Sequence, residues 1–126
     1  MPTLEIEKFE RAARGDFEFN REIRYFNGQI ELTADDEVYV ISIQNGELTT
    51  VVSGHGDPNH IRITIGGPAA LWNAMLQRYP EPFNHSLQSC SVKHGLLMSD
   101  TNETFAYLPA LNRMMTILRD VHNEEN

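Results

Sequence analysis

From Tyr25 to Ile65 the hydrophobic residues take up a twofold period, and this constrains the fold more than any other feature of the chain. Ile30 and Leu32 alternate with Gln29, Glu31 and Thr33. After the turn residues Ala34-Asp35-Asp36-Glu37 comes Val38-Tyr39-Val40-Ile41-Ser42-Ile43, β-branched and aromatic as a strand should be. Gln44-Asn45-Gly46-Glu47 separates that run from Leu48-Thr49-Thr50-Val51-Val52. Asn and Gly both tolerate positive φ, so the pair predicts a tight hairpin. Ser53 to Asn59, with Gly54, Gly56 and Pro58, reads as a loop, and His60-Ile61-Arg62-Ile63-Thr64-Ile65 as a fourth strand with its isoleucines on one face. Four strands in succession joined by short turns predict an antiparallel meander.

Helical periods frame this sheet. Thr3 to Arg14 reads as an amphipathic helix with Thr3 as N-cap, Glu5 and Glu7 at its positive end, Gly15 as its stop, and Ile6, Phe9 and Ala13 on its apolar face. Phe17 to Arg24 has no clean period and reads as a connection or a second short helix. Gly66-Gly67-Pro68 ends the sheet and opens a helix, with Pro68 at the first helical position. There Leu71, Trp72, Met75, Leu76 and Tyr79 share one face and Asn73 and Gln77 the other, until Pro80 and Pro82 stop it. Phe83, Leu87 and Cys90 hint at a further short helix. Gly95-Leu96-Leu97-Met98 is a candidate fifth strand, followed by a turn and capping cluster, Ser99-Asp100-Thr101-Asn102.

The last helix spans Glu103 to Val121, with a bend or a late start at Pro109. At 100° per residue, Ile117, Ala110, Val121, Met114, Tyr107, Leu118, Leu111, Met115 and Leu108 fill an arc of roughly 180°, against the ~100° stripe of a surface helix. Arg119, Asn112, Thr116, Asp120 and Arg113 take the rest. Such a helix needs two apolar neighbours, of which the sheet is one. The second is the wall of a ligand cavity, the N-terminal helix from Leu4 to Ala13, or a second copy of the chain in a homodimer.

The 126 residues suit one α+β domain with its own hydrophobic core. Residues 1–24 are expected to form an N-terminal helical segment, 25–121 the sheet-and-helix body, and 122–126 a flexible acidic tail. Ten basic residues against 18 acidic ones give a net charge of −8, and the basic residues form no run, which argues against nucleic acid or an anionic membrane as the main partner. The lone Cys90 cannot form an intrachain disulfide and leaves the cysteine usage of a reducing compartment, so a cytoplasmic location is expected. No stretch approaches the ~18 consecutive apolar residues of a membrane span, and no integral membrane association is expected.

The hairpin glycine Gly46, the strand Ile61-Arg62-Ile63-Thr64-Ile65, Gly67, four intervening residues and Trp72 of a short helix, then a short strand, an Asp-containing turn and an apolar last helix, resemble the sterol-carrier-protein type two (sterol-binding) domain. The resemblance covers Tyr25 to Val121, and it departs from the family's pattern where Ser99 precedes Asp100 in place of a Gly-Asp pair. It implies a mainly antiparallel five-stranded sheet with helices packed on one face, enclosing a tunnel for an acyl, isoprenoid or sterol-like chain. It implies no catalytic residues and no cofactor. Some relatives are accessory or dimerisation modules of larger enzymes or biosynthetic pathways.

Facing direction and resemblance together nominate Trp72, Met75, Leu76, Met98, Leu111, Met114, Met115 and Leu118 as ligand-lining residues. The flexible thioethers suit an adaptable apolar wall, and equally an ordinary core. Gly66 and Gly67, read as preceding a helix, are candidates to hold an anionic head group through backbone N–H groups, against the plainer reading as a turn. His55, Asp57 and His60 share one loop, but a polar Gly- and Pro-rich loop accounts for them and no metal is expected. Cys90 and His94 lie four residues apart without an orienting carboxylate in view. The expected function is non-catalytic binding or carriage of a hydrophobic small molecule or lipid. The alternatives are a small enzyme using His94 or Tyr107 as acid or base within the same cavity, and a dimerisation or accessory module.

Overall fold

The computed structural model describes residues 3–80, 87, 90–91, 95–99 and 101–124. Among these residues one sheet is built from β1 (Gly28–Ala34), β2 (Glu37–Gln44), β3 (Glu47–Ser53), β4 (Ile61–Gly67) and β5 (Leu97–Met98) in the order β3-β2-β1-β4-β5. The helices are α1 (Ile6–Arg14), α2 (Phe17–Glu22), α3 (Ala69–Met75), α4 (Asn102–Ala106) and α5 (Leu108–His122). The β2–β3 turn has φ of 52° at Asn45 and 81° at Gly46, the double positive φ that the Asn-Gly pair predicts.

The first three strands form the expected antiparallel meander, with Gly28 opposite Ile43 and Gln44 opposite Glu47. The fourth does not extend it. β4 lies beside β1 and parallel to it, Ile63 next to Ile30 and Ile65 next to Leu32, and β5 adds antiparallel to β4. The sheet is therefore mixed, though mainly antiparallel. The chain from Ser53 to Ile61 returns across the polar outer face of the sheet. There the Gly56 N–H donates to the Glu31 carboxylate at 3.4 Å, and the Asp57 N–H donates to the Gln29 side chain at 2.8 Å. At about 3.3 Å per extended residue this connection easily reaches past two strands spaced about 4.8 Å apart.

Alternation puts Ile30, Leu32, Tyr39, Ile41, Ile43, Ile63 and Ile65 on the buried inner face, where the helices cover them. The last helical segment is divided at Tyr107 into α4 and α5, with Pro109 in the first turn of α5, where a missing N–H is harmless. Two helix boundaries differ from expectation. Thr3 is not the N-cap of α1, which starts at Ile6; its N–H and hydroxyl instead donate to the Glu37 carboxylate of β2. Tyr79 does not join the buried face of α3, because the helix stops at Met75 and leaves the tyrosine exposed. Leu87 and Cys90 are helical and buried. Phe83 and His94 lie outside the described residues.

Candidate apolar ligand site

Trp72, Met75 and Leu76 from α3 and its end, and Leu111, Met114, Met115 and Leu118 from α5, are all buried to 2% exposure or less and belong to one contiguous apolar cluster with the inner sheet face. Met98 of β5 is partly buried against the same cluster. The period of 3.6 therefore places these seven helix residues inward, while Tyr79, read on the same face of α3, lies outside.

Polar groups at the margin fix how these helices sit. The Trp72 indole N–H donates to the Thr33 carbonyl of β1 at 2.7 Å, anchoring α3 to the sheet. At the other end of α3, Arg119 Nε donates to the Met75 carbonyl at 2.8 Å and Asn123 Nδ2 to the Leu76 carbonyl at 2.7 Å. The last turn of α5 thus satisfies carbonyls that the end of α3 leaves without helical partners. Burial pulls the pKa of Arg119 down, but a guanidinium so far above neutrality stays charged. Arg119 lies on the polar arc of the wheel and Asn123 in the stretch read as a tail, and in neither place does the sequence give a sign of binding another helix.

The second apolar neighbour of α5 is supplied by α1 and α2, which pack along its flank. Their Phe9, Ala13 and Phe19 are buried, and Phe9 meets Phe19 edge to face at 6.1 Å between ring centres. Among the three candidates for covering the wide arc, the N-terminal helix is thus present in the structure and accounts for part of it.

Gly66 and Gly67 end strand β4, and Pro68, the N-cap of α3, follows them directly. Gly66 sits between Thr33 and Leu97, where a Cβ would meet the Thr33 hydroxyl and oblige it to turn aside. The Gly67 carbonyl accepts the Asp35 N–H at 3.1 Å. Tyr107 is at the α4–α5 joint with its ring edge to face on Phe26 at 4.9 Å. His94, its companion in the acid–base alternative, is outside the described residues. Burial pushes the Cys90 thiol pKa up, away from thiolate chemistry. His60 and Asp57 pair at 3.1 Å at the surface, and among the described residues no group of three or more His, Cys, Asp or Glu side chains is placed to hold a metal ion. No described helix is long and apolar enough to cross a membrane.

No protein-family model and no curated protein sequence matches the chain. Solved structures do. A crystal structure of sterol carrier protein 2 is 14% identical with a TM-score of 0.71, over 90% of this chain and 92% of that one. A solution structure of a conserved hypothetical protein from Thermus thermophilus, described as possibly a sterol carrier protein, is 15% identical with a TM-score of 0.65, over 90% and 83%. The UbiJ-SCP2 ubiquinone synthesis protein is 10% identical with a TM-score of 0.54, over 86% and 84%. The chain has the sterol carrier protein 2 fold, as the sequence resemblance implies.

Proposed function

We propose that the protein binds one apolar, lipid-like molecule among α3, α5 and the inner face of the sheet, and carries it or presents it to a partner without reacting with it. The observation that carries this reading is the single buried cluster of Trp72, Met75, Leu76, Leu111, Met114, Met115 and Leu118, rich in thioethers, in a fold shared with sterol carrier protein 2. Unbranched methionine side chains change rotamer readily, so a wall built from them can yield to a guest at low energy. Burial at about 25 cal/mol per Å² of apolar surface then leaves a chain of a dozen or so methylenes several kcal/mol of net binding energy. Presentation to a biosynthetic enzyme is the more specific version of the role, favoured by the likeness to a ubiquinone synthesis protein.

Native mass spectrometry of the freshly purified protein, beside an organic extract of the same sample, tests the proposal. A reproducible extra mass that the extract identifies as acyl, isoprenoid or sterol-like is expected. An empty protein that takes up neither acyl nor isoprenoid probes overturns it.

A further inference from the structure

Strand β3 is one edge of the sheet, and its own sequence does little to keep another strand away. Leu48-Thr49-Thr50-Val51-Val52 is rich in β-formers and has no Lys or Pro, the residues that commonly blunt an edge. Three of its outward backbone groups are occupied instead by two side chains of α1. Arg14 Nη1 donates to the Leu48 carbonyl and Nη2 to the Thr49 carbonyl, each at 2.7 Å, while the Val51 N–H donates to the Glu10 carboxylate at 3.1 Å. Glu10 and Arg14 stand one helical turn apart and pair at 3.1 Å. Asn20 closes the end of α1 by donating to the Ala13 and Arg14 carbonyls at 3.0 and 3.1 Å.

One cation and one anion thus supply the acceptors and the donor of β3 with what a neighbouring strand would otherwise provide. We propose that Glu10 and Arg14 plug an association surface on β3, and that the occupant they exclude is β3 of a second copy of this chain, paired antiparallel about a two-fold axis. Antiparallel pairing of a strand with itself is self-complementary. The single charge within β3, Glu47, is at its first position, so the two copies of that carboxylate would fall at opposite ends of the pairing. The second strand needs the Leu48 and Thr49 carbonyls and the Val51 N–H, the groups that α1 holds, so plug and partner exclude one another.

The test is sedimentation or light scattering of the full chain over a concentration series. The wild type does not associate through this edge and stays at 14.4 kDa, and Glu10→Ala/Arg14→Ala rises toward twice that mass. Adding Thr50→Lys, which sets like charges opposite one another at the centre of the symmetric pairing, restores the single-chain mass. Amide exchange gives a second readout: at low concentration the Val51 N–H of the double variant exchanges faster than in the wild type, and at high concentration it slows again. Arg14→Lys keeps the charge and the helix but cannot fork between two carbonyls, so it serves if the double variant is unfolded by circular dichroism; a smaller rise in mass is expected. A folded variant whose mass follows the wild type at every concentration overturns the proposal.

Discussion

Asp16 and Arg113, 97 residues apart, meet through a two-pronged contact, Arg113 Nε to Oδ1 at 3.1 Å and Nη2 to Oδ2 at 2.7 Å. The same carboxylate accepts the Phe19 N–H at 2.8 Å, so one side chain caps α2 and ties it to the middle of α5. Separating the two roles is straightforward. Asp16→Asn keeps a capping oxygen and loses the ion pair, with an expected loss of up to about 1 kcal/mol. Asp16→Ala loses both, with about 1 to 2 kcal/mol expected from urea unfolding. A double-mutant cycle with Arg113→Met should show coupling; strict additivity would mean that the pair contributes nothing.

Acid sensitivity follows from the same carboxylate and from Glu37. The Thr3 hydroxyl, with help from the Thr3 N–H and the Tyr39 hydroxyl, holds the Glu37 carboxyl below its usual range, and the Arg113 guanidinium does the same for Asp16. A carboxyl depressed in the folded state binds its proton more weakly there than in the unfolded chain. Its contribution is therefore complete above the unfolded pKa of about 4 and is lost as pH falls through the folded value. Urea midpoints should be flat from about pH 7 to 5 and fall below about pH 4. Glu37→Gln with Asp16→Asn should flatten that fall, and an unchanged acid slope would locate the sensitivity elsewhere.

Trp72 is the single tryptophan, fully buried, and its indole N–H is spent on the Thr33 carbonyl. Trp72→Phe removes the donor and part of the volume together. A loss of about 1 to 3 kcal/mol is expected, read from thermal unfolding. A variant within about 0.5 kcal/mol of wild type, the scale of an ordinary surface substitution, would mean that α3 is not anchored through this bond.

Periodicity made the inner faces legible because a strand or helix must aim its apolar residues at the core whatever lies opposite. Ile30, Leu32, Ile63 and Ile65 on the sheet, and Leu111, Met114, Met115 and Leu118 on α5, all follow this rule. It does not say which strand neighbours which, and so β4 reads as a fourth meander strand when it returns parallel to β1. What fixes its place is tertiary: Gln29 and Glu31 of β1 receive the returning loop. At the candidate site the apolar residues were readable and the polar frame was not. Of the two residues that bind the end of α3, Arg119 looks in sequence like any solvated helix face and Asn123 like part of a tail, while Glu10 and Arg14 look like an ordinary pair one turn apart.

Gly46 is required for two reasons at once. Its φ of 81° is in the left-handed region, and a Cβ would lie 2.1 Å from the Arg24 carbonyl oxygen and 2.6 Å from its carbon. Both obstacles are backbone, so no side chain can swing aside. Gly46→Ala should therefore be destabilised by more than the ~1 kcal/mol that left-handed φ alone explains, with the deficit visible in the urea midpoint. Asn45→Gly, which has only to keep φ at 52°, should change stability far less.

The proposed ligand role makes a sharper demand on the methionines than stability does. In an ordinary core, Met114→Leu/Met115→Leu is a near volume-conserving swap, and stability should change by less than about 1.5 kcal/mol per site. If those thioethers yield to an apolar guest, the branched leucines should resist it, because fewer low-energy rotamers are available to them in a packed helix face. Titration with a fluorescent acyl probe, followed through the emission of buried Trp72 in the same cluster, should then show several-fold weaker binding with the fold intact. Equal affinity in the folded double variant would rule out methionine adaptability as the means of admitting the chain.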